Sequence, residues 1–372
     1  MMGFPPPDEM RVTLANWRKP PFNKWSFQHV RELIPTADIL NDPNNIGALA
    51  GLSIKAEDGG AYDLADFLRA TDTDEFVVIR DGEIVHEVYD NGMGPDTPHI
   101  FMSVSKSVLG LLAGILVDRG ALEFDAAVTR WIPEIERTAY AGATVRDLLD
   151  MRAGVLFDED YLATSGPIIE YRKAQNWDPL PPGESPSDLR SFFVSLIEKD
   201  GSHRERFHYI SPNTDLLGWV IERATGTRYA DLVSDLLWKP MGAGRSAYIT
   251  VDRFGAPRCA GGFCATARDL ARLGLLIADG GHYAGRQVVP GRWLDDIVEA
   301  GDAAAWNVGD FINYFPKMPI HYRSKWYVLR GDAPLIFGVG VFGQNVFIDR
   351  KNQLVIAKFS SQALPMTRSE SN

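Results

Sequence analysis

Ser103-Val104-Ser105-Lys106 is the one Ser-x-x-Lys string in the chain, and it opens the strongest helical pattern. A serine hydroxyl is a poor nucleophile until a base takes its proton. A lysine three positions on in a helix lies on the same face, within reach of that hydroxyl. Burial beside Val108, Leu109 and Leu112 would disfavour the ammonium form, and a helix N-terminus would favour a developing alkoxide. Such a string arises by chance about once in a few hundred residues, so alone it weighs little more than an N-cap serine beside a solvated lysine. A second element lies in Tyr209-Ile210-Ser211, just ahead of a helical stretch. A tyrosine whose hydroxyl faces a cationic lysine can be driven toward phenolate and act as a base. By itself Tyr209 reads as a half-buried packing residue.

Other chemistries find less support. The seven histidines, at 29, 86, 99, 203, 208, 282 and 321, never form His-Glu-x-x-His or a similar tight pair, which argues against a zinc hydrolase. Cys259 and Cys264 are the only cysteines, too few for a disulfide framework or a four-thiolate metal site. No Gly-x-Ser-x-Gly elbow and no Gly-x-x-x-x-Gly-Lys loop occurs. Gly338-x-Gly340-x-x-Gly343 matches the dinucleotide string, but Gln344-Asn345-Val346-Phe347-Ile348 after it reads as strand rather than the helix that would hold a pyrophosphate.

Several elements must position these residues. Runs at 75–80 and 83–89, joined by Asp81-Gly82, predict a hairpin with a type I′ turn. From Ser103 the apolar residues Val104, Val108, Leu111, Leu112, Ile115 and Leu116 share one broad helical face, with Gly120 as the stop. Further helices are predicted from 144 and over 188–199, 214–224, 230–238 and 266–278. Residues 163–187 hold five prolines and read as an excursion over the surface. Strands return at 335–341, 345–348 and 354–359. Residues 1–60, rich in Pro, Asn, Asp and Gly, read as an irregular arm or wrap. The order predicts an α+β fold. Residues 1–120 and 240–372 would build an antiparallel sheet domain flanked by helices, and 121–239 an inserted, mainly helical domain.

With 372 residues, 45% hydrophobic and 23% charged, the chain has the composition of a globular protein with ample core material. Its 38 Lys and Arg against 49 Asp and Glu give a net charge of −11, and no basic run appears, so nucleic acid is not an expected partner. The longest apolar stretch, 108–117, falls short of a membrane span, and no secretory signal is visible. A cytoplasmic protein with no membrane partner is therefore the expectation.

Together the motifs carry a resemblance. Ser103-x-x-Lys106, the Tyr209-x-Ser211 loop running into Leu216-Leu217-Gly218, Gly261-Gly262-Phe263-x-x-Thr266-Ala267-x-Asp269-Leu270-Ala271-Arg272 and the terminal Gly340-x-x-Gly343-Gln344 are similar to those of serine hydrolases of the class C β-lactamase and penicillin-binding-protein superfamily. The set spans about residues 75–361. Phe157-Asp158-Glu159-Asp160-Tyr161, Trp326-Tyr327 and the ending 355–361 resemble the branch of 6-aminohexanoate-dimer (nylon-oligomer) hydrolases and their carboxylesterase relatives. The resemblance implies a β-lactamase/transpeptidase-like fold and an acyl-enzyme on Ser103, with Lys106 and Tyr209 managing the proton. It implies that the N–H groups of Ser103 and Val341 form an oxyanion hole, that Tyr161 hydrogen-bonds a leaving amide nitrogen, and that Ser211, Trp326 and Glu170 join the substrate site. The expected partner is a small linear amide or ester, with no cofactor and no metal; a homodimer is left open. Two departures stand out. The last strand, Phe337-Gly338-Val339-Gly340-Val341, carries no cation for a β-lactam carboxylate. Eleven positions after Tyr161, where the oligomer hydrolases can carry an acid for the substrate amine, stands Arg172, with Glu170 the nearest acid. The alternatives are a carboxylesterase, a D-aminopeptidase or β-lactamase activity on the same fold, and a non-catalytic binding protein.

Overall fold

The computed structural model describes residues 4–51 and 63–366. In chain order its strands are β1 (Thr36–Ile39), β2 (Ala50–Gly51), β3 (Thr73–Arg80), β4 (Glu83–Tyr89), β5 (His99–Ile100), β6 (Ala247–Thr250), β7 (Phe263–Ala265), β8 (His282–Tyr283), β9 (Arg286–Gln287), β10 (Ile320–Arg323), β11 (Trp326–Leu329), β12 (Leu335–Gly340), β13 (Gln344–Asp349) and β14 (Leu354–Ser360). Asp81 and Gly82 both take positive φ, 52° and 81°, as the expected type I′ turn requires, and they pair β3 with β4 in antiparallel register. β14 pairs with the other edge of β3, so the two ends of the chain meet in one sheet of order β10-β11-β12-β13-β14-β3-β4-β2. Its pairs are antiparallel except β2 with β4. A smaller sheet, β1-β6-β7-β5, sits beside it.

The helix Ser105–Asp118 is the spine. Every residue from Ser105 to Leu116 is buried, because sheet and helices enclose it on all sides. Each fully buried Val, Leu or Ile side chain there contributes about 1.5–3 kcal/mol. Two glycines permit that enclosure: a Cβ on Gly110 would lie 2.1 Å from the Ser324 carbonyl, and one on Gly114 would lie 2.4 Å from the Trp293 ring. The helix ends near Gly120, whose φ of 69° stops it as expected.

Among the described residues, 121–239 hold helices and no named strand. The expected helices appear at Val145–Leu149, Leu189–Ser195, Pro212–Thr225, Tyr229–Val233 and Ala267–Ala278, the first with a full Thr144/Asp147 capping box. The structure is thus α+β, as the element order predicts.

Two local expectations need correction. The Pro-rich segment is not merely a surface excursion: Pro167, tolerated at N1, starts the helix Pro167–Ala174, which turns Ile168, Tyr171, Arg172 and Ala174 inward. The arm 1–60 is more than a wrap, since its Trp17, Phe27 and Val30 are fully buried in a second core with Ile100, Met102, Trp177 and Phe342, and β1 joins the small sheet; residues 52–62 lie outside the described part. Residues 320–329, for which no element is predicted, form the hairpin β10–β11. Among the described residues no helix is long and apolar enough to cross a membrane.

Candidate active site

Ser103 lies in a 3₁₀ turn, Met102–Val104, that feeds the helix Ser105–Asp118. Met102 has a φ of 45°, a strained value for a residue with a side chain, and it turns the serine out of the core toward a cleft. The three-residue spacing does what the sequence predicts: Lys106 Nζ donates to Ser103 Oγ at 2.8 Å. Nζ also donates to the Ala260 carbonyl at 2.7 Å, which fixes the ammonium or amine against the serine. Lys106 is fully buried, and that burial pulls its pKa down to about 7, with Glu159 partly offsetting the fall, Arg258 adding to it and Asp215 offsetting it further. A group so placed has a substantial neutral, proton-accepting fraction at physiological pH.

Tyr209 stands across the serine, its hydroxyl within reach of Ser103 and Tyr327. Lys106 Nζ lies over the face of its ring, 4.9 Å from the centroid. The expected drive toward phenolate is absent, because burial pushes the Tyr209 phenol up despite its hydrogen bond from Ser103. Tyr209 is therefore held as a neutral phenol that can donate and relay a proton, whereas the lowered Lys106 amine is suited to accept one. Asp310 holds this loop in place by accepting from the Tyr209 N–H at 2.7 Å and from His208 Nδ1 at 2.9 Å.

The end of β12 closes over Ser103. A Cβ on Gly340 would lie 2.7 Å from the Phe101 carbonyl and 3.0 Å from the Ser103 nitrogen, so only glycine allows this approach. It brings the backbone of Val341 to the rim of the cleft beside Ser103. The cleft, about 310 Å³, is walled by Tyr161, Tyr209, Phe311, Tyr314, Phe315 and Tyr327.

The remaining predicted residues separate into two groups. Tyr161 and Ser211 border the serine, both tied to Glu159: the Tyr161 hydroxyl donates at 3.2 Å, and Ser211 donates its N–H at 2.5 Å and its hydroxyl by a shorter contact. Burial and Glu159 push the Tyr161 phenol up, so it too stays protonated. Trp326 and Glu170 do not reach the site. The Trp326 indole is fully buried in the main core on the other face of β11, and its neighbour Tyr327 faces the cleft. Glu170 is exposed and pairs with Lys173 at 3.0 Å on the outer face of its helix. Arg172 faces inward instead and donates to the Tyr161 carbonyl at 2.9 Å.

Sequence reasoning did not assign Glu159, nor the buried set behind Lys106. There Asp215 accepts from the Ala260 N–H at 2.7 Å and pairs with Arg258, which also donates to the Tyr171 hydroxyl at 2.7 Å. This set fixes the carbonyl that holds Lys106. Among the described residues, no group of three or more His, Cys, Asp or Glu side chains could hold a metal ion.

The family model described as beta-lactamase matches residues 65–372. The chain belongs to the beta-lactamase family. Within it, the chain is 35% identical over 356 residues to the 6-aminohexanoate-dimer hydrolase of Paenarthrobacter ureafaciens, covering 96% of this chain and 90% of that one. It is 28% identical over 195 residues to esterase EstB of Burkholderia gladioli, covering 49% and 48% of the two chains. A solved structure from Bacillus anthracis, a candidate 6-aminohexanoate-dimer hydrolase, superposes with a TM-score of 0.88 at 27% identity over 98% of this chain and 95% of that one. These relatives mark the chain as a hydrolase of the family.

Proposed function

We propose that the protein is a serine hydrolase that cleaves amide or ester bonds of small linear substrates through an acyl-enzyme on Ser103. The observation that carries this reading is the 2.8 Å contact between Lys106 Nζ and Ser103 Oγ, with the lysine tuned to about 7. Neutral Lys106 takes the proton as Ser103 Oγ attacks the carbonyl carbon, and the oxyanion forms against the N–H groups of Ser103 and Val341. The proton passes by way of Tyr209 to the leaving nitrogen or oxygen, the bond to the leaving group breaks, and the acyl group stays on Ser103. Water then attacks the ester with the same base, releasing the acid and regenerating the hydroxyl. The names of the relatives favour amides such as aminohexanoate oligomers together with esters, and the missing cation on β12 makes a β-lactam the weaker substrate.

A fluorophosphonate probe tests the assignment: it should label wild type at Ser103 and leave Ser103→Ala unlabelled. Assay of p-nitrophenyl esters, short amides, aminohexanoate oligomers and nitrocefin gives the substrate class. Ser103→Ala and Lys106→Ala should each lower turnover by about 10³-fold or more, with the double variant hardly worse because the pair acts as a unit. An unlabelled wild type would point to a binding protein instead.

A further inference from the structure

A second, smaller cavity of about 50 Å³ also borders Ser103, and it shares only Ser103, Tyr161 and Val341 with the aromatic cleft. It is lined by Arg18, Arg172, Gln175, Trp177 and Arg258, and Tyr209 does not border it. The proton relay to the leaving group runs through Tyr209, so the leaving group belongs in the aromatic cleft. The acyl chain is then left to the small cavity.

Its lining is cationic and incompletely satisfied. Gln175 is 1% exposed, and neither its Nε2 nor its Oε1 has a partner. Arg18 Nε and Arg258 Nε are buried without partners as well. Buried polar groups are as a rule hydrogen-bonded, and orphans gathered in one cavity point to something that completes them. Arg18 pairs with Asp178 and Arg258 with Asp215, but among the described residues Arg172 has no carboxylate partner and spends one N–H on the Tyr161 carbonyl. The one acid on the rim, Glu159, is taken up by Ser211 and Tyr161. The indole of Trp177 lies under two guanidinium groups, 5.1 Å from Arg258 and 6.0 Å from Arg18, which keeps these cations packed without neutralising them.

We propose that this cavity is a carboxylate subsite for the acyl end of the substrate, held by Arg172 and Gln175. Resting on the proposed function, it narrows the substrate class to amides or esters whose short acyl chain ends in an acid group. The Arg172 guanidinium can fork onto the carboxylate and the Gln175 amide can donate to it, both from buried positions.

The test compares p-nitroanilides of one acyl length: glutaryl, its methyl ester, and 5-aminopentanoyl. Alongside, calorimetry measures binding of free glutarate, which does not depend on turnover. The glutaryl anilide should exceed its methyl ester in kcat/KM by about 10- to 100-fold, the range of a charge-assisted pair, and exceed the cationic anilide by more. Arg172→Gln and Gln175→Leu should each lower the glutaryl-to-methyl-ester ratio by about tenfold and weaken glutarate binding in parallel. Gln175→Leu keeps the test valid if loss of Arg172 loosens the Tyr161 segment. Turnover of all three anilides at similar kcat/KM would overturn the subsite and leave the serine hydrolase standing. Glutarate binding that is lost in both variants, with neither the anilides nor the matching p-nitrophenyl esters cleaved, would keep the subsite and overturn the hydrolase reading. Glutarate bound equally by wild type and both variants, or not bound at all, overturns the subsite.

Discussion

Titration of Lys106 decides whether the pair at Ser103 works as a base and a nucleophile. The lysine falls from 10.5 to about 7 because it is buried, so half the molecules carry a neutral amine near pH 7. If that amine accepts the serine proton, kcat/KM on a neutral p-nitrophenyl ester, corrected for spontaneous hydrolysis, should show an acid limb centred near 7. Below it the rate should fall about tenfold per pH unit, so that pH 5 lies about a hundredfold under the plateau. The same displacement has a stability signature with a defined sign. The folded value lies below the unfolded one, so between pH 7 and 10.5 the unfolded chain holds the extra proton. Stability must then rise with pH across this window and be unaffected by the group on either side. At about 1.4 kcal/mol per pH unit, wild type should gain about 3 kcal/mol on Lys106→Met between pH 7 and 9.5, measured by denaturant unfolding of both proteins. A rate flat from pH 5 to 8, together with an unchanged stability gap between the two proteins, would refute the reasoning at its root.

Other perturbations probe the surroundings of that pair. Glu159 holds the Lys106 value up, so Glu159→Gln should move the acid limb below 7, a displacement that a merely structural loss would not produce. Tyr161→Phe should cut amide hydrolysis about ten- to a thousandfold and spare matched esters, because an amide nitrogen must be protonated and held before it leaves, whereas an alkoxide or phenoxide needs little help. Equal losses on both substrates would remove its leaving-group role. Asp215→Ala should destabilise the fold by about 3–5 kcal/mol by stranding the buried Arg258, read as a lowered denaturation midpoint with slope unchanged.

What the sequence discloses about this site follows the distance over which each interaction acts. Ser103 and Lys106 are legible because their geometry is set by one turn of backbone, and the Asp81-Gly82 hairpin because its turn needs positive φ that those residues supply. The hairpin β10–β11 uses the same kind of turn, but the positive φ falls on Ser324 and Lys325, at 50° and 71°, with no glycine or asparagine to announce it. That turn is held by tertiary contacts instead: the Ser324 N–H donates to Asp150 at 2.9 Å, and Lys325 Nζ donates to the Leu148 carbonyl at 2.5 Å. Contacts of this reach leave no local trace. Glu159 meets Ser211 from 52 positions away and Asp310 meets Tyr209 from 101, so neither role can be read from spacing.

The two misplaced site residues show the same limit in a sharper form. On β11 successive side chains point to opposite faces, so naming the pair Trp326-Tyr327 leaves two choices that only the facing layer can separate. The core behind β11 takes the indole, and the cleft takes the phenol. On the helix Pro167–Ala174 the choice is again between neighbours. Lys173 pulls Glu170 outward into solvent while packing on Ile168 and Tyr171 turns Arg172 inward. Composition places both an acid and a base beside the predicted pocket; the rotation of one short helix decides which of them the substrate meets. The charge the acyl pocket presents is thus set by how that short helix packs, with Ile168 and Tyr171 beside Arg172 in the same cavity wall as Ser103.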